Sequence, residues 1–112
     1  IDTNTLIIPD VISNVKNEIA PSVFSLSQNY PNPFNPITTI HYNIEKSELV
    51  RLTVYNILGN EVAELVNGYQ EAGTYSVSLN TSIEPETFSS GVYFYRLKTG
   101  SFFATRKFVL LQ

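Results

Sequence analysis

The chain has no cysteine, no methionine and no tryptophan, and one histidine among its 112 residues. Without cysteine there is no disulfide staple, no thiolate nucleophile and no cysteine-ligated zinc or iron–sulfur site. The compartment stays open, since many exported bacterial proteins also lack cysteine. No apolar run approaches the roughly 20 residues of a membrane-spanning helix. Ile1–Asp10 lacks the basic start of a secretory signal, so an export signal is expected elsewhere, or the chain is a piece of something longer. Seven Lys and Arg stand against ten Asp and Glu, a net charge of −3. That balance leaves no basic footprint for nucleic acid.

Catalytic groups are also scarce. His41 alternates with Ile40, Tyr42 and Ile44 and reads as a surface or rim histidine. The only aspartates, Asp2 and Asp10, lie near the N-terminus, so a Ser-His-Asp set would require that segment to fold back onto His41. Glu45, Glu48, Glu61, Glu64, Glu71, Glu84 and Glu86 fall at turns or outward strand positions. They read as solvated charge rather than as a glycosidase pair. The five glycines are dispersed at turns and form no phosphate loop. Glu84 and Glu86 lack the spaced Asp and Asn of a calcium loop. Asn80-Thr81-Ser82 matches the N-glycosylation acceptor, a short motif with many chance occurrences. We expect no enzyme, no cofactor and no metal.

What is present is apolar and aromatic. Hydrophobic residues make up 43 % of the chain, and Tyr and Phe occur seven times each, enough for a folded domain rather than a disordered one. Residues 1–23 hold Pro9, Pro21 and an aperiodic scatter of Leu, Ile and Val, and read as a linker or the end of a preceding domain. From Phe24 onward, short β-rich runs alternate with turn signals: Phe24–Gln28, Thr38–Ile44, Leu49–Tyr55, Glu61–Val66, Thr74–Leu79, Val92–Lys98 and Ser101–Leu110. Period-2 alternation makes them half-buried strands, and their spacing predicts an all-β sandwich or barrel. Asn56–Asn60 and Thr99-Gly100 read as hairpin connections, the latter of two residues with glycine at positive φ. Asn67-Gly68 reads as the start of a loop ending at Gly73. A single helical turn is expected near Glu86–Ser90. Tyr93, Tyr95 and Leu97 should face the core. Phe102, Phe103 and Phe108 cannot then all be inside, so some aromatic surface should stay exposed for a partner.

One segment is not generic. Tyr30, Pro31, Asn32, Pro33, Phe34, Asn35 and Pro36 follow Gln28-Asn29. The prolines fix φ and bias the residues before them away from helix, so the segment should be extended, near polyproline II, and stiff. The asparagines can satisfy nearby backbone groups, and Tyr30 and Phe34 can pin the loop to the body.

With Thr38-Thr39-Ile40 after it, the run from Phe24 to Pro36 resembles the opening of the C-terminal sorting domains of the type IX secretion system. Val54–Val62 is similar to the family's central hairpin, Ala72-Gly73 stands before the fifth strand as in the family, and Ser90–Leu97 is similar to its sixth strand. Thr105–Leu111 resembles its terminal strand. The resemblance covers residues 24–112. It implies a seven-stranded antiparallel immunoglobulin-like β-sandwich behind a non-regular N-terminal segment, at the C-terminus of a larger exported protein. It implies recognition by the outer-membrane export machinery through Arg106, Lys107, Phe108, Val109, Leu110 and Leu111. It further implies passage through the periplasm, removal by a sortase-like peptidase, and cargo anchored at the cell surface or released. The alternative is a carbohydrate-binding, adhesive or spacer module of a surface protein.

Overall fold

A computed structural model describes residues 24–83, 87–100 and 102–112; the segment 1–23, read above as a linker, lies outside the described residues. Alternating side chains produce seven strands: β1 (Ser25–Leu26), β2 (Ile37–Ile44), β3 (Glu48–Tyr55), β4 (Glu61–Gln70), β5 (Gly73–Asn80), β6 (Gly91–Lys98) and β7 (Phe103–Leu110). They form two antiparallel sheets, ordered β1-β2-β5 and β4-β3-β6-β7. This is an immunoglobulin-like sandwich in which the fourth strand lies beside β3 rather than in the sheet of β1 and β2.

The alternation places the core as the sequence predicts. Ile40, Tyr42 and Ile44 of β2, Val50, Leu52 and Val54 of β3, and Tyr93, Tyr95 and Leu97 of β6 are all buried. Phe108 and Leu110 of β7 join them with no exposed surface, whereas Phe102 and Phe103 stay at the surface. Phe108 is the centre of an aromatic cluster, with ring centroids 5.0 Å from Phe34, 5.3 Å from Tyr93 and 6.0 Å from Tyr95. Such pairs add to burial when the rings meet edge to face or offset. At the start of β6, the Tyr93 hydroxyl donates to the Ser89 carbonyl at 2.8 Å. This matches the tyrosine corner that locks the entry to the equivalent immunoglobulin strand.

Local turn signals were outvoted at two places. Asn67 and Gly68 do not open a loop; they pair with Arg51 and Val50, and β4 runs on to Gln70. The ladder with β3 satisfies their backbone groups over a longer stretch than a turn could. It absorbs the mismatch as register shifts at Leu52/Thr53 and Val54/Tyr55. The β6–β7 connection is four residues, not two: the Thr99 N–H donates to the Phe102 carbonyl at 2.8 Å. Gly100 does not take the expected positive φ; its N–H donates instead to Glu48 Oε1 at 3.0 Å. The Asn56–Asn60 turn does form, with Gly59 at φ 87° and Asn56 Oδ1 accepting from the Leu58 and Asn60 amides. The helical turn expected near Glu86–Ser90 begins outside the described residues; a 3-10 turn forms at Thr81–Ile83, where Asn80 Oδ1 caps the Ser82 amide at 3.0 Å.

Tyr93→Phe removes the corner hydrogen bond and leaves the ring packing. The expected result is a loss of about 1 kcal/mol, read as a lower urea midpoint with an unchanged slope.

Candidate functional site

The last strand lies at the edge of the four-stranded sheet. One side of β7 pairs with β6 along its whole length, from Lys98↔Phe103 to Gly91↔Leu110. The other side would present bare backbone groups to solvent, a liability in any edge strand. The proline-rich segment covers it. Gln28 Nε2 donates to the Lys107 carbonyl at 2.7 Å, and Asn32 Oδ1 accepts the Val109 N–H at 2.9 Å. The Phe34 N–H donates to the Val109 carbonyl at 3.1 Å, and the Leu111 N–H donates to the Phe34 carbonyl at 3.0 Å. Phe34 thereby forms a one-residue parallel bridge with Leu110, while its ring sits edge-on to buried Phe108. The outward groups of Lys107, Val109 and Leu111 are thus satisfied from residues 28–34. Among the described residues no strand lies beyond Phe103–Thr105, nearer the start of β7.

The loop is held from beneath. Asn29 is almost fully buried; its side-chain amide donates to the Pro31 carbonyl at 3.1 Å and to Thr38 Oγ1 at 3.0 Å. Thr38 Oγ1 in turn donates to the Pro31 carbonyl at 2.8 Å. The Tyr95 hydroxyl, on the central strand β6, accepts the Asn29 N–H at 2.8 Å and donates to the Ser27 carbonyl at 2.7 Å. Burial pushes the Tyr95 phenol above its ordinary value; the Asn29 N–H and the nearby Arg106 charge oppose this only in part. The far end of the loop is tied by Thr81, whose N–H donates to the Pro36 carbonyl at 2.9 Å. The path is not one extended polyproline II stretch. It is a chain of bends, with cis peptides before Pro31, Pro33 and Pro36 and single bridges at Tyr30 and Phe34.

The two segments singled out in the sequence, residues 28–36 and 106–111, therefore lie side by side. Within the loop the roles divide. Phe34 is the buried anchor, and Asn32 reaches across to β7. Tyr30 does not pin the loop with its ring, which is 79 % exposed; it attaches through backbone hydrogen bonds to Thr39. Its amide and carbonyl are committed to that bridge, which turns the side chain outward. Within the terminal segment, Phe108 and Leu110 point into the core, and Val109 is half-buried on the opposite face. Lys107 and Leu111 are exposed, and Arg106 reaches over the sandwich edge so that its Nε donates to the Leu26 carbonyl at 2.6 Å. Gln112 was not singled out in the sequence, yet it fastens the end of the chain. Its N–H donates to Ser90 Oγ at 2.8 Å and its side-chain amide to the Phe88 carbonyl at 2.9 Å. A lone terminal glutamine carries no pattern that would announce this.

His41 is exposed on β2. No group of three or more His, Asp or Glu could hold a metal ion among the described residues, and no helix among them is long and apolar enough to cross a membrane. Fold and site together define a small immunoglobulin-like module that displays its last strand at a sheet edge. The secretion system C-terminal sorting domain model matches residues 28–111, and the chain belongs to that family, the sorting tails of type IX secretion. Such a tail directs export across the outer membrane to the cell surface or beyond, through contact with the secretion machinery. No curated protein matches the chain in sequence.

Two outcomes follow for stability. Phe34→Ala empties a buried aromatic site and removes the ring contact to Phe108 while keeping the backbone pairing to β7, with an expected loss of about 3–5 kcal/mol in denaturant unfolding. The raised Tyr95 phenol means the folded state disfavours ionisation. Stability is intact below the unfolded phenol value of 10.0 and is lost as pH rises from there through the raised folded value. Tyr42, also raised mainly by burial, contributes in the same direction. Tyr95→Phe should cost about 1–3 kcal/mol at neutral pH and flatten, without abolishing, the alkaline decline of the urea midpoint.

Proposed function

We propose that the machinery reads the outward face of β7, formed by Lys107, Val109 and Leu111, together with the adjoining ridge of the proline loop. The role is recognition, not catalysis. The observation that supports this reading is the division within the terminal segment. Phe108 and Leu110, wholly buried, hold the strand in place, while their neighbours remain at the surface in a register that the loop hydrogen bonds fix. Arg106 steadies the edge through the Leu26 carbonyl and is available from outside.

On this account a larger cargo precedes the chain and crosses the periplasm with this domain at its end. A sortase-like peptidase then cuts within residues 1–23, and the cargo is anchored at the surface or released.

The test fuses a reporter with an ordinary signal peptide to residues 1–112 and expresses it in a bacterium carrying the type IX system and in its pore-deficient mutant. The wild-type fusion should reach the surface or medium only when the pore is present. Lys107→Glu with Leu111→Asp should leave the reporter in the periplasm, although both side chains are exposed and the purified variant should melt like the wild type. His41→Ala should be exported normally. Undiminished export of the double variant, or wild-type arrival without the pore, would contradict the proposal.

A further inference from the structure

The outward face of the four-stranded sheet carries a second arrangement, which shares only Lys107 with the surface proposed for sorting. The β3–β6–β7 pairing sets Tyr55 beside Phe94 and Lys107, Thr53 beside Arg96 and Thr105, and Arg51 beside Lys98 and Phe103. Four of these outward residues are cations. Arg51 is committed to Glu64 and Glu61 across β4, which holds the Glu64 carboxyl below its ordinary range. Arg96, Lys98 and Lys107 have no carboxylate partner among the described residues.

Arg96 is the best positioned of the three. Its guanidinium carbon lies 5.1 Å from the centroid of the Phe103 ring and 5.8 Å from that of Tyr55. Its Nε donates to Thr105 Oγ1 at 3.3 Å. Two rings and a hydroxyl thus hold the fork in place on an exposed side chain. Beside it, between Phe94 and the Asn56–Asn60 turn, lies an open hollow of about 410 Å³, within the usual size of a small-ligand site.

We propose that this hollow binds an acidic saccharide, a sugar ring bearing a carboxylate. An unpaired, pre-oriented guanidinium suits a carboxylate in bidentate contact. The half-exposed Phe94 ring offers its negative face to the C–H groups of a pyranose, and Lys107 adds charge on the adjacent strand. A peptide strand is a poor occupant, because the backbone of β6 is consumed on both sides by β3 and β7.

The experiment titrates the whole 112-residue chain with oligogalacturonate, following backbone amide shifts. The controls are the fully methyl-esterified oligomer and an oligothymidylate of equal charge. Saturable binding of the acid is expected, with shifts at Phe94, Arg96 and Thr105 that added salt weakens. The ester and the Arg96→Gln variant should each bind at least about tenfold more weakly. Arg96→Lys, which keeps the charge and loses the fork, should also lose most of the affinity and serves if the Gln variant does not fold. Lys46→Gln, in the turn before β3, should bind as wild type. Absence of saturable binding, equal binding of the ester, undiminished binding by both Arg96 variants, or oligothymidylate binding as tightly as the acid would each overturn the proposal. The measurement is made on purified protein, and Arg96→Gln should be exported normally, so its failure would leave the sorting account untouched.

Discussion

A strand at the end of a chain and at the edge of a sheet has only half its backbone hydrogen bonds provided for. In this domain the outward groups of Lys107, Val109 and Leu111 are taken by residues 28–34, far away in sequence. Asn32 and Phe34 take up the outward groups of Val109 and Leu111. Phe34 also sends its ring onto Phe108, the centre of the aromatic cluster. Backbone satisfaction and core packing are thus met by the same few residues. The terminal strand is held on three sides: by β6, by the core and by the loop. Only its outward face remains for a partner.

Tyr95 ties this arrangement to the sandwich. It stands on a central strand, packs against Phe108, and spends its hydroxyl on Asn29 and Ser27. A buried hydroxyl with both its donor and an acceptor site satisfied fixes geometry more sharply than apolar packing alone. The loop is therefore placed by the sheet and passes that placement to the end of the chain.

Much of this was legible in the sequence because it follows from period-2 alternation. Ile40-His41-Tyr42-Asn43-Ile44 declares its inner face residue by residue, and Tyr93, Tyr95 and Leu97 do the same. The excess of aromatics around β7 was legible as well, since Phe102, Phe103 and Phe108 could not share one face. What the sequence hid was long-range. Asn67-Gly68 carries a strong turn signal, yet pairing with Arg51 and Val50 draws it into the ladder. The prolines of residues 31–36 promised an extended run, but Asn29, Thr38 and Thr81 fold that run into bends over the sheet. Neither the joining of the two singled-out segments nor the clasp made by Gln112 has a local signature, because each partner lies some tens of residues away. The Arg96 hollow was hidden for the same reason: its residues are spread over β3, β6 and β7 and meet only through register.

The central claim is that the proline loop pairs with the terminal strand in solution as a lasting part of the fold. Hydrogen–deuterium exchange of the whole chain tests it most directly, read at the amides of Phe34, Val109 and Leu111. All three donate across this junction, Val109 to Asn32 Oδ1 and the others to backbone carbonyls, and none depends on the β6–β7 ladder. The account predicts that they exchange nearly as slowly as the amides paired between β6 and β7. Exchange at the rate of an open loop, with the β6–β7 amides still protected, would contradict it.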